Sequence, residues 1–178
     1  MDSWSTFWTF VHAMSWSVYV GGAVVMEFVW RPAQQALPPS QTAVACQWMG
    51  RRYRWVASAA LLAAGLSGAA RLFESGYLSA SRPWFRAPLT LSDGYGRTML
   101  VLVVLWLALL TTVTMLTFIA HPALHTRMAA DLTDQERRAA RERVARAIRR
   151  MDRILRFDLY VALVALLLGA SLSSGGLL

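Results

Sequence analysis

Apolar residues gather in four long runs along this chain, over positions 7–30, 55–70, 98–120 and 159–172. A helix rises about 1.5 Å per residue, so about 20 residues cross the hydrocarbon core of a bilayer. The first and third runs reach that length outright. The second and fourth reach it once flanking arginines and aromatic residues snorkel to the interface. The pattern predicts an all-α bundle of four transmembrane helices, over about residues 4–30, 51–72, 98–120 and 157–174, forming a single integral membrane domain.

The first run departs from a plain lipid-facing pattern, because His12, Met14, Tyr19, Met26 and Glu27 lie within it. At about 100° per residue, His12, Trp16, Tyr19, Ala23, Met26, Glu27 and Trp30 share one face, and the opposite side is Val, Ala and Phe. Ionisable groups at that depth are costly, which makes them functional candidates. His12 and Glu27 are 15 residues apart, about 22 Å along the axis, too far to share one ion. Gly21-Gly22 permits close approach of a neighbouring helix or a ligand, and Trp30-Arg31-Pro32 is the expected end of the helix.

Beyond it, Pro38-Pro39-Ser40 predicts a turn and a short helix from Gln41 before helix two. Ala60, Ala64 and Gly68 then form a ridge of small residues suited to helix packing. Tyr77, Pro83, Trp84, Phe85, Arg86, Pro88, Asp93 and Tyr95 make the second connection an ordered cap or re-entrant turn over the His12 end. Thr111, Thr112, Thr114 and Thr117 are expected to bond across helices or back to their own preceding turn. Thr133-Asp-Gln-Glu136 is a capping-box signature, opening a basic amphipathic helix over about residues 133–156 with an apolar stripe of Val144, Ile148, Met151 and Leu155. Such a helix can lie on an anionic leaflet.

Composition sharpens orientation more than chemistry. The chain has 178 residues, 56% of them hydrophobic, and a mean hydropathy of +0.40. All 18 basic residues are arginine. Fourteen lie in the first and third connections and four in the second, so the positive-inside rule predicts both termini outside and the basic helix in the cytoplasm. Because the arginines sit between apolar runs, they act on topology, and nucleic-acid binding is not expected. Cys46 stands alone, offering neither a disulfide nor a CxxC pair. The N-terminus has no basic stretch before its apolar run, so no cleaved signal is expected.

Two polar constellations emerge. The outer one is His12 with Tyr19, Met14 and the aromatic second connection. The inner one gathers Glu27, Arg31, His121, His125 and Asp158 at the cytoplasmic ends of helices one, three and four. Glu27 or Asp158 could neutralise Arg31 or Arg156 as a latch or gate. Alternatively, His121 and His125, four apart, could hold a metal or haem, although Pro122 interrupts the helix they would need. His12 is either a core histidine bonded to a carbonyl or hydroxyl, or a ligand to haem iron or copper, with methionine thioethers as soft partners.

Two segments resemble a known family. His12, followed by Tyr19-Val-Gly21-Gly22 and Arg31-Pro32, resembles the H-x6/7-W-V-G-G first helix of CopD-like (copper-resistance protein D) membrane proteins. It is similar also to small four-helix membrane proteins of unknown function and, more loosely, to HemJ-type protoporphyrinogen oxidases. Asp93-Gly-Tyr95-Gly96-Arg97-Thr-Met-Leu100 resembles the Y-G-R-x-L-L entry to a CopD-like helix. Tyr19 stands where that family has Trp, the lysine after the second motif is missing, and longer CopD proteins have about twice as many helices. The absent lysine counts against the HemJ-type activity.

The resemblance implies copper transport or resistance in a bacterial inner membrane, with His12 as ligand, Met14 or Met26 as soft partner, and Tyr19 with Glu27 as polar gates. The alternatives are a haem b-binding redox protein and a non-catalytic scaffold, alone as a homo-oligomer or with partner membrane subunits.

Overall fold

The computed structural model describes residues 3–74, 94–117 and 133–178. Its elements are α1 (Ser3–Val25), a π-helical turn (Met26–Trp30), α2 (Arg31–Ala36), α3 (Pro39–Glu74), α4 (Gly94–Met115), α5 (Asp134–Ser171) and a 3₁₀ turn (Leu172–Ser174). No strand occurs among the described residues. Four stretches are long and apolar enough to cross a membrane: Ser3–Ala36, Val44–Glu74, Gly94–Met115 and Ile148–Ser174. The protein is a multi-pass membrane protein.

The helices pack as a closed ring, α1 on α3, α3 on α4, α4 on α5 and α5 on α1. Cross-contacts fix their directions. His12 near the start of α1 meets Ala64 and Ser67 late in α3, while Arg54 early in α3 reaches Thr117 just past α4. Thr98 at the start of α4 accepts the Leu177 and Leu178 amides beyond α5. Neighbours in the ring are therefore antiparallel, and the bundle has a His12 end and a Glu27 end.

The expected inward face of α1 is the one turned to the core: Tyr19, Ala23 and Met26 are buried, while Phe7, Phe10, Val18, Val24 and Phe28 are exposed. The central cluster joins Tyr19 with Ala57, Ala60, Leu61, Leu109, Val113 and Ala162. Small residues dominate the α3 part of it, which lets large side chains from α1 and α4 enter. Trp106 uses this space, and its indole N–H donates to the Leu61 carbonyl at 2.9 Å. The indole also lies over Gly65, where a Cβ would fall within 2.8 Å of Cε2. Gly22 has the same role for Tyr53, whereas Gly21 faces open space. The four threonines of α4 and its end bond back to their own helix, at 2.7–2.9 Å.

Three helix boundaries differ from the sequence reading. The first helix runs through Pro32 because the chain widens before it: the Arg31 amide donates to Met26 O, five residues back. Proline lacks an amide and its ring crowds the carbonyl four residues earlier, a clash that a π turn relieves. The expected loop of residues 32–50 shrinks to Leu37 and Pro38, and α3 starts at Pro39. Thr42 donates its hydroxyl and its amide to Pro38 O there, closing the first turn.

The basic helix and the fourth membrane helix are one, because no glycine or proline separates Asp134 from Ser171 except Gly169. The basic part therefore leaves the bundle along the α5 axis rather than lying across it. Its start is the capping box, with the Thr133 amide donating to Glu136 Oε2 at 2.9 Å and the Glu136 amide donating to Thr133 Oγ1 at 3.4 Å.

The two bonds from Thr133 hold the Glu136 carboxyl below its ordinary range. A group whose folded pKa is depressed contributes stability above its unfolded pKa and loses it as pH falls through the folded one. Amide protection of the first α5 turn should therefore drop on acidification through and below the ordinary carboxylate range. In Glu136→Gln the drop should vanish, and an equal drop in that variant would remove the cap as its cause. The second connection with its aromatic cap, His121 and His125 lie outside the described residues.

Candidate functional site

α1, α3 and α5 carry the polar groups of the interior, and α4 closes it. Asp158, four residues before Ala162 on the buried stripe of α5, is only 2% exposed. It opens onto a cavity of about 40 Å³, room for about three waters. Tyr19 from α1 and Tyr53 from α3 border the same cavity, as do the sulfur-bearing Met26, Cys46 and Met151. Neither Asp158 oxygen has a hydrogen-bond partner. Thr112 adjoins it from α4, but its hydroxyl donates to Leu109 O at 2.9 Å. Arg54 also borders the cavity, yet its Nη1 donates to Thr117 O at 3.2 Å.

Toward the Glu27 end a smaller space of about 10 Å³ shares Met26, Trp30, Met151 and Leu155 with the main cavity. Glu27 bridges two arginines beside it: Arg31 Nη1 at 2.6 Å and Arg156 Nε at 3.1 Å. The bridge sits on the π turn, so Pro32 and the ion pair occupy one irregular stretch. Glu27 pairs with both arginines and offsets one of their two charges, and Asp158 takes no part. Asp158 belongs to the interior cavity because it lies two residues past Arg156, about 200° around α5 and so on the opposite side of the helix.

His12 occupies the other end. Its Nδ1 lies 3.0 Å from Ala64 O and 3.2 Å from Ser67 Oγ. A carbonyl only accepts, so Nδ1 carries the proton and the Nε2 lone pair stays available. Ser67 in turn donates to Ala63 O at 2.6 Å, and Gly68 makes room for the ring, with a Cβ there falling 3.3 Å from His12 Cε1. A ligating histidine has this second bond to a carbonyl, and so does a packing histidine.

Tyr19, expected beside His12, lies about two turns deeper in the cavity, joined to it only through Trp16, whose ring meets both edge-on. Met14 is not brought to His12. Two residues on, it projects from the far side of α1 and is 47% exposed among the outward-facing apolar residues. Met26 is buried in the interior cavity, 14 residues and about 21 Å of helix from His12.

Among the described residues no three His, Cys, Asp or Glu side chains cluster as a metal site. The cavity lining includes two methionines, a cysteine and one aspartate. Cys46 Sγ accepts from Gln34 Nε2 at 3.1 Å, which fixes the thiol at the cavity wall. The sequence signal for this grouping was weak: Tyr53 and Cys46 on α3 and Met151 on α5 are far apart in the chain, and only the ring closed by α1 and α4 brings them to one cavity.

No family model, curated protein or solved structure matches the chain. Its class therefore rests on the fold and the cavity: a four-helix membrane protein with a largely apolar interior chamber bordered by one buried carboxyl.

Proposed function

We propose that this protein handles copper, as copper(I), in a bacterial inner membrane, with both termini outside and the basic part of α5 in the cytoplasm. The observation that supports this most is the chamber itself. Thioether and thiolate sulfurs suit copper(I), and Met26, Cys46 and Met151 border one cavity with the carboxyl of Asp158. The arginine distribution supports the orientation, and the resemblance of the His12 and Tyr95-Gly96-Arg97 segments to CopD-like proteins supports the substrate. In this reading His12 offers Nε2 as a separate ligand at the outer end, and Glu27 with its arginines closes the cytoplasmic end. Arg149, Arg150 and Arg153, near the start of the membrane-crossing part of α5, meet anionic lipid headgroups.

A haem does not fit this chamber. The chamber holds about 40 Å³ and His12 does not border it, so no step is derived through that group.

Purified protein should bind copper(I) in competition with a chromogenic chelator. Cys46→Ser and Met26→Leu should each weaken binding by about tenfold or more, the scale on which even an orienting contact matters at a metal site. Retention of wild-type affinity in both variants would remove the chamber from the metal path. Unchanged metal content and copper tolerance in His12→Ala would leave His12 as a packing residue.

A further inference from the structure

We propose that Asp158 is the exchangeable carboxyl of the chamber, carrying a proton when the chamber is empty and releasing it when a monovalent cation enters. The inference rests on reading the chamber as a cation site, and adds how its charge is balanced.

Among the described residues no cation forms an ion pair with Asp158. α1 presents Tyr19, and the only acid further along that stretch, Glu27, is committed to Arg31 and Arg156. α3 presents Tyr53, Cys46 and one cation, Arg54, whose Nη1 donates to Thr117 O and whose Nε is buried without a partner and makes no ion pair with Asp158. α4 presents Thr112, whose hydroxyl goes to Leu109 O. α5 itself adds Asp152 beside the smaller space, another acid. Both Asp158 oxygens remain unpartnered in a residue 2% exposed.

An uncompensated carboxylate at this depth is among the costliest groups a fold can hold. Two species remove that cost, a proton or a bound cation, and the cavity has room for an ion with a water or two. The two exclude one another at a single carboxyl. The step is a plain exchange: the O–H bond of the acid breaks, its electron pair stays on the carboxylate, the cation binds that oxygen, and the proton leaves. No charge is added to the interior and no oxidant or reductant is needed. The tyrosine hydroxyls at the same cavity supply polar surface for either species. A leucine would fill the site at no electrostatic cost, so packing alone gives no reason for an acid here.

The full chain in detergent, titrated with silver(I) as a redox-inert soft monovalent cation, tests this with a pH-indicating dye. Wild type should release one proton per silver ion bound, and Asp158→Asn should release none, with Cys46 staying a neutral thiol donor. Equal release from both proteins, with silver bound, overturns the exchange and leaves the soft-metal reading standing. Silver bound by neither protein overturns both. Infrared difference spectra of the wild type need no variant: silver should remove a carboxylic acid carbonyl band and raise carboxylate bands. An unchanged carbonyl region with silver bound overturns the proposal even if Asp158→Asn does not fold.

Discussion

Gly65→Ala should destabilise the bundle by about 1–2 kcal/mol, although alanine is the better helix former. The new methyl would overlap Trp106 at Cζ2, Cε2 and Cη2, the last two at 2.8 and 3.0 Å. The indole cannot retreat freely, because its N–H is held by Leu61 O at 2.9 Å on the same helix as Gly65. Overpacking costs about 1–3 kcal/mol, and the propensity gain returns at most about 1 kcal/mol. Gly21→Ala is the control: nothing lies within 4 Å of its Cβ, so only the propensity gain remains. Thermal unfolding in detergent, followed by tryptophan fluorescence, reads both. A Gly65→Ala midpoint at or above wild type would show that α3 and α4 separate easily. Trp106→Phe, by shortening the ring, should restore part of the loss.

Gly65 also marks where the sequence stops being informative. Ala60, Ala64 and Gly68 announce a packing ridge by their spacing, and Ala60 and Ala64 are buried. Gly65 sits one residue off that ridge, and what makes it matter is an indole that arrives from a helix 41 positions later. Periodicity reports which face of a helix is apolar, not which partner covers it. The inward stripe of α1, the four apolar spans and the Thr133–Glu136 cap were legible because each is local. The π turn was not, since Pro32 reads as a stop unless the widened turn before it is known. Asp158 shows the same limit at the site. Its position in the chain places it near an arginine-rich connection, and a salt bridge is the natural reading. Two residues past Arg156 it points to the opposite side of α5 and into the cavity, which Tyr53 and Cys46, unremarkable in sequence, also line.

Glu27→Ala should cost about 1–3 kcal/mol, between the value of an exposed pair and that of a broken buried one. Glu27 is 17% exposed, but Arg31 and Arg156 are 34% and 39% exposed, so water compensates part of their lost partner. The larger share comes from Arg156, because that pair ties α5 to the π turn, whereas the Arg31 pair is internal to one helical stretch. A double-mutant cycle separates them: Glu27→Ala with Arg156→Ala should show a coupling of about 0.5–2 kcal/mol, larger than with Arg31→Ala. Glu27→Gln keeps the side-chain length and loses the charge, so it should retain packing and still lose the coupling. The electrostatic part should be only weakly salt-dependent, since pairs partly withdrawn from solvent are screened less. A cost of Glu27→Ala below about 0.5 kcal/mol, typical of a free surface position, would mean that the bridge does not hold the cytoplasmic end closed. The chamber would then need another barrier between its cavity and the space beside Gln34 and Asp152.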